Sequence, residues 1–193
     1  MRGLAGAPSP DIPPLPLDDQ DEDSVVPPPP PPTPPPVQKT LLIDVRPHHN
    51  GELLLSKLAV NSDPEFFGFP FTGRTIPKRV GNAPYPMAEP DPRVEIVVRD
   101  ASGDVIRRVP HSLNVVYYET KGEIRITIPH FLIEDIPQMS LLSMTRDPEP
   151  ELDYRLDFYP PECVTPEAEQ LRALRTTAMP SGGVPQVRRF GWG

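Results

Sequence analysis

Cysteine is almost missing from this chain: Cys163 is the only one in 193 residues. That excludes an internal disulfide and fits a reducing, cytoplasmic setting. Long apolar runs are missing as well. No stretch approaches the roughly 18 uninterrupted apolar residues of a membrane-spanning helix, so a soluble protein with no membrane partner is expected. The first residues lack the basic start and the apolar run of about 7 to 15 residues that make a secretory signal. No serine stands in a Gly-x-Ser-x-Gly elbow, and Cys163 follows Pro160-Pro-Glu in what reads as a loop. Phosphate-cradling loops of the Walker or dinucleotide type are absent too, Ser181-Gly-Gly183 being only a flexible link. Nothing therefore points to catalysis, and no cofactor or metal is expected.

Positive charge is also scarce. There are 19 Lys and Arg against 27 Asp and Glu, a formal net charge of −8. Such a balance excludes a protein whose whole surface grips phosphate. Residues 1–40 hold 2 cationic and 6 acidic side chains, so that segment and the remainder each carry −4. Any contact with nucleic acid must be a local patch.

Proline, by contrast, is abundant. The chain holds 32, and 14 of them precede Gln38, including the runs Pro27 to Pro32 and Pro34 to Pro36. Asp18, Asp19, Asp21, Glu22 and Asp23 crowd just upstream of those runs. A segment of this composition has almost nothing apolar to set against the entropy that ordering removes. Residues 1–39 are therefore expected to form a disordered, acidic, proline-rich tail. Its polyproline run predicts a stiff left-handed extended helix of about 3.1 Å per residue, a spacer or a ligand for an aromatic-lined groove.

From residue 40 onward, apolar residues recur with the two-residue period of half-buried strands. Ile124, Ile126 and Ile128 alternate with Glu123, Arg125 and Thr127, which separates a core face from a wet face. Val94, Ile96 and Val98 repeat the pattern, and Asp100-Ala-Ser-Gly-Asp104 can reverse the chain into Val105-Ile-Arg-Arg-Val109. Further strands are predicted at Leu41 to Arg46, Glu52 to Leu58, Leu113 to Glu119, Ser140 to Thr145 and Leu152 to Tyr159. One short helix follows, with Thr165 as its cap, Pro166 in its first turn and Leu171 with Leu174 as its apolar stripe. Asp63 to Pro92 reads as a long structured loop. The fold class is mainly β, an antiparallel sandwich or a small barrel over residues 40–178 with that C-terminal helix. Residues 179–193 read as a flexible basic and aromatic C-terminal tail.

Two stretches carry candidate contacts for an anionic partner. Phe66-Phe-Gly-Phe-Pro-Phe-Thr-Gly-Arg-Thr-Ile-Pro-Lys-Arg79, continuing to Tyr85, combines four phenylalanines with Arg74, Lys78 and Arg79. Aromatics beside cations are what single-stranded nucleic-acid sites use, although phenylalanines in a long loop also serve to pin it onto the domain. The second stretch is Arg188 with Arg189, beside Phe190 and Trp192. A third constellation, His48, His49 and Glu52, holds the residue types of a metal or proton-sharing site. Adjacent histidines on extended chain point opposite ways, however, and Asn50-Gly51 reads as a hairpin turn. His111 and His130 stand at predicted strand ends.

Val45-Arg-Pro-His-His-Asn-Gly-Glu52, the run from Phe66 to Lys78, and Met179-Pro-Ser-Gly-Gly183 followed by Arg188-Arg-Phe-Gly-Trp192 carry a resemblance. They are similar to the C-terminal portion of bacterial phospholipase-D-like nucleases, some of which act in restriction and carry a β-barrel DNA-recognition domain after the catalytic part. The family's catalytic signature, His-x-Lys followed four residues later by Asp, occurs nowhere in this chain. The resemblance thus implies an accessory part of a nuclease system, without phosphodiesterase chemistry and without catalytic residues.

Two functions follow as expectations. In one, the domain contacts DNA or another nucleic acid, with Arg74, Lys78, Arg79, Arg188 and Arg189 on phosphates and Tyr85 or Trp192 stacking. In the other, it is a protein-interaction or structural module tethered by the proline-rich tail, with the phenylalanine-rich loop at the centre of the contact.

Overall fold

The alternation of isoleucines at 124, 126 and 128 has its expected consequence in the computed structural model, which describes residues 38–72, 74–76, 85–118, 123–179 and 187–193. All three isoleucines are buried, while Glu123, Arg125 and Thr127 are half-buried on the opposite face. The expected tail, apart from Gln38 and Lys39, lies outside the described residues.

In chain order the elements are β1 (Thr40–Val45), β2 (Glu52–Leu55), α1 (Lys57–Ser62), β3 (Arg74–Ile76), β4 (Tyr85–Met87), β5 (Arg93–Arg99) and β6 (Val105–Ser112). They continue as β7 (Asn114–Tyr118), β8 (Glu123–Thr127), β9 (Ser140–Glu149), β10 (Leu152–Tyr159), α2 (Pro166–Ala173), β11 (Thr177–Ala178) and β12 (Arg189–Trp192). The described strands form a seven-stranded sheet in the order β11-β12-β1-β9-β10-β5-β6 and a five-stranded sheet in the order β2-β8-β7-β4-β3. The domain is a mainly-β sandwich. Every pairing is antiparallel except β5 with β10, where Ile96 stands opposite Leu156. A parallel pair needs a long crossover, and here the excursion through β6 to β9 supplies it.

Alternate residues of each strand enter one core between the sheets. Leu41, Ile43, Leu142, Leu156, Phe158 and Ile96 come from the large sheet and meet Leu53, Leu55, Val115, Ile124 and Ile126 from the small one. Full burial of such side chains is worth about 1.5 to 3 kcal/mol each, so this layer dominates the stability. A second, smaller cluster lies outside the large sheet, where Leu42, Leu141, Tyr159 and Cys163 meet Ala168 and Leu171 of α2. The lone cysteine is thus a buried packing residue.

Four local readings of the sequence need correction. The strand expected over Glu52 to Leu58 ends at Leu55, because Ser56 caps α1 by accepting the Ala59 N–H, and Ala59 and Val60 are buried. The Asn50-Gly51 turn forms as expected, with Gly51 at φ +85° and the Glu52 N–H on Asn50 Oδ1 at 3.2 Å. It joins strands of different sheets, however, and is not a hairpin. Within the stretch expected to be a flexible tail, Arg189–Trp192 instead form β12, which pairs with β1 and places Phe190 in the core. Their apolar alternation, Phe190 and Trp192 in and Arg189 and Gly191 out, is a strand pattern too short to stand out alone. The region read as one loop from Asp63 to Pro92 holds the short strands β3 and β4.

The hairpin between β5 and β6 forms as expected. Asp100 Oδ1 accepts the N–H groups of Ser102 at 2.8 Å and Asp104 at 3.1 Å, and Gly103 takes φ +86°. So does α2, where Thr165 accepts the Ala168 N–H at 3.3 Å and Pro166 opens the helix.

Candidate functional site

The residues of the phenylalanine-rich stretch are drawn into the domain. Phe66 is 1% exposed, and its ring meets Phe67, Tyr154 and Trp192 at centroid distances of 5.1, 5.7 and 5.0 Å. Phe69 packs on Tyr117 at 4.5 Å and on Phe71 at 5.6 Å. Trp192 lies against Phe66, donates its indole N–H to Ser62 Oγ at 3.1 Å, and carries Lys39 Nζ 5.2 Å from its ring. Its contacts are therefore internal, and its ring serves packing. Beside these rings a cleft of about 340 Å³ opens between Phe67, Phe71, Pro90 and Tyr154. Its charged rim is engaged, since Arg146 meets the Glu65 carbonyl and Asp147, and Asp153 accepts the Arg93 N–H at 2.7 Å.

Arg74 stands on β3, the edge strand of the small sheet, opposite Met87. Lys78 and Arg79 lie outside the described residues. Tyr85 packs on Tyr118 at 4.3 Å, and the Arg125 guanidinium sits 4.1 Å from the Tyr118 ring centroid. Arg125 is bound in turn by Glu123 at 2.8 and 2.9 Å and by Glu52 at 3.2 Å. Burial works against its charge, but those carboxylates outweigh burial and raise its proton affinity. This ladder on the outer face of the small sheet is electrostatically closed.

The end of β1 and β12 is different. The register that sets Ile43 opposite Phe190 brings Asp44 beside Arg189. Asp44 is 4% exposed, accepts the Arg189 backbone N–H at 2.7 Å, and forms an ion pair with Arg175. Burial lowers the proton affinity of Arg175, and the charge of Arg189 adds to the effect. Among the described residues, the guanidinium of Arg189 reaches only the Thr176 carbonyl, at 3.5 Å.

Arg188, next along, is half-buried, and its guanidinium has no hydrogen bond or ion pair among the described residues. Burial, and after it the nearby charge of Arg46, lowers its proton affinity, with Glu123 pulling weakly the other way. Elsewhere arginines are matched: Arg99 with Asp157, Arg108 and Arg155 with Glu95, and Arg172 with Glu169. Arg188 with Arg46 beside it, and Arg175 with Arg189 at the buried carboxylate of Asp44, thus gather four arginines at this end of β1 and β12. Arg46 and Arg175 carry no signal in the sequence, because what joins them to Arg188 and Arg189 is the pairing of chain segments far apart.

His48 and His49 are both exposed in the turn that leads into β2, where the His48 N–H bonds the Glu52 carbonyl at 2.9 Å. Among the described residues there is no group of three or more His, Cys, Asp or Glu able to hold a metal ion. No helix among them is long and apolar enough to cross a membrane. No family model matches the chain, and no curated protein matches it.

Proposed function

We propose that the domain is a non-catalytic module that contacts nucleic acid through the arginines at the end of β1 and β12. It would serve as an accessory part of a bacterial nuclease system of the restriction or defence type. The observation that carries this reading is Arg188, a guanidinium half out of water, with Arg46 nearby, only the weak pull of Glu123 against it, and no hydrogen bond or ion pair among the described residues. Taking a charge from water without a partner destabilises a fold. A phosphate oxygen is the partner that a planar guanidinium fork fits best. Arg189 beside it is exposed and adds a second phosphate contact. The acidic remainder keeps such a contact local and orients it.

The test is anisotropy of labelled duplex and single-stranded DNA, titrated with salt against the full chain. Binding should weaken as salt rises, by a slope of about 0.9 log units per phosphate contacted on duplex DNA. No binding at low salt would leave the protein-interaction module as the better reading.

A further inference from the structure

Where α2 stands over the outer face of the large sheet, it leaves a cleft of about 330 Å³. Register builds its floor. Ser143 of β9 lies opposite Leu42 of β1 on one side and Asp157 of β10 on the other, so the three side chains form one row across the sheet. Glu167, Leu171 and Leu174 line it from the helix side. The charged donors around it and the Tyr159 hydroxyl already have acceptors, while Thr40 and Thr145 share one hydroxyl hydrogen bond at 3.1 Å. Arg155 is held by Glu95 at 2.9 Å and Glu149 at 2.7 Å, Arg99 lies on Asp157 Oδ1 at 2.8 Å, and the Tyr159 hydroxyl donates to Glu167 Oε1 at 2.8 Å.

What is left toward the cleft is a set of acceptors. The second oxygens of Asp157 and Glu167 have no hydrogen bond among the described residues. Ser143 is 8% exposed, and its hydroxyl is likewise without a partner among them. Its oxygen faces the cleft and is open to a donor that comes from outside. Burial raises the proton affinity of Asp157 against the pull of Arg99, and the charge of Glu167 adds to the rise.

We propose that this cleft binds a primary alkylammonium group, on a lysine side chain or on a free aliphatic amine. An ammonium has three N–H donors, and Ser143, Asp157 and Glu167 offer three acceptors. Leu42, Leu171 and Leu174 give its methylene stem an apolar wall. A guanidinium, with five donors in a rigid plane, would leave donors unmet. The site lies toward the Thr40 end of β1, away from Arg46, and does not depend on the nucleic-acid reading.

The test is calorimetric titration of the full chain with N-acetyl-lysine methylamide, 1,5-diaminopentane and the uncharged N-acetyl-norleucine methylamide. The ammonium probes should bind at least about tenfold more tightly than the norleucine compound, a difference of about 1.4 kcal/mol. Binding of the lysine compound alone would assign the site to a protein lysine, and of the diamine alone to a free amine. Glu167→Gln and Ser143→Ala should each weaken binding severalfold with the circular dichroism spectrum unchanged. Asp157→Asn also removes the Arg99 pair, so Glu167 at the exposed start of α2 is the safer probe. Equal affinity for norleucine, no heat from either ammonium probe, or undiminished binding by Glu167→Gln would overturn the proposal.

Discussion

An arginine that leaves water without meeting a carboxylate weakens the fold that holds it, and among the described residues Arg188 has no ion pair while Arg125 has two. Arg125 is enclosed by Glu123, Glu52 and Tyr118. It is a structural residue by every contact it makes. Both arginines are plain in the sequence, and their opposite fates are not. The fate of each depends on where carboxylates fall after folding, and Asp44, which serves Arg175 and the backbone of Arg189, is 145 positions from Arg189. Asp63 is the converse case, a carboxylate whose partners all favour its charge. It accepts the Phe66 N–H at 3.2 Å and forms an ion pair with Lys39. Burial pushes its proton affinity up, but these contacts, aided by the charge of Arg146, outweigh burial and set it below the ordinary value of 3.8. With the folded value lower than the unfolded one, this stabilisation is complete above about pH 3.8 and is lost as pH falls through the folded value. Asp63→Asn should therefore destabilise by about 1 kcal/mol at pH 7 in urea unfolding. The gap from the parent should narrow toward pH 2; a gap that stays constant would show that the charge of Asp63 is not what matters.

At the scale of elements, the joint between α2 and β12 decides how the outer layer sits. A Cβ on Gly191 would collide with the Leu174 carbonyl oxygen and press on Arg175. Glycine is needed there for the close approach of backbone to backbone. Gly191→Ala should lower stability by about 1 to 3 kcal/mol, the usual penalty of forced overpacking. Thermal melting measures it, and an unchanged melting temperature would mean that α2 can lift from the sheet at little cost. The same elements show what was legible in advance. The alternation in β5, β8 and β10 and the Thr165-Pro166 start of α2 are local signals, and each forms where the sequence puts it. The short β3, β4 and β12 were not legible, because three or four residues hold too little pattern. The parallel pairing of β5 with β10 is likewise a product of the chain's path and not of either strand. Trp192, with Tyr85 as the alternative, is the stacking residue the sequence suggests, because an aromatic beside arginines resembles a base platform. Its side of β12, set by pairing with Leu41, turns it inward instead.

For the whole molecule, the charge of −8 and the arginines at the end of β1 and β12 bear on each other. A generally acidic surface repels phosphate, so the proposed anionic partner would be accepted only where cations outnumber carboxylates, as Arg175 and Arg189 do at Asp44. The fold positions that place by joining β12 to β1 and turning the end of α2 toward the same carboxylate. The central claim is that Arg188 is kept for a partner and not for the fold. The most direct measurement is Arg188→Met, which keeps an apolar stem and removes the charge, followed in parallel by thermal unfolding and by salt-titrated binding to duplex DNA. The account predicts unchanged or higher stability, weaker binding, and a salt slope smaller by about 0.9. A variant that loses stability while its affinity and salt slope stay at the parent's values would contradict it.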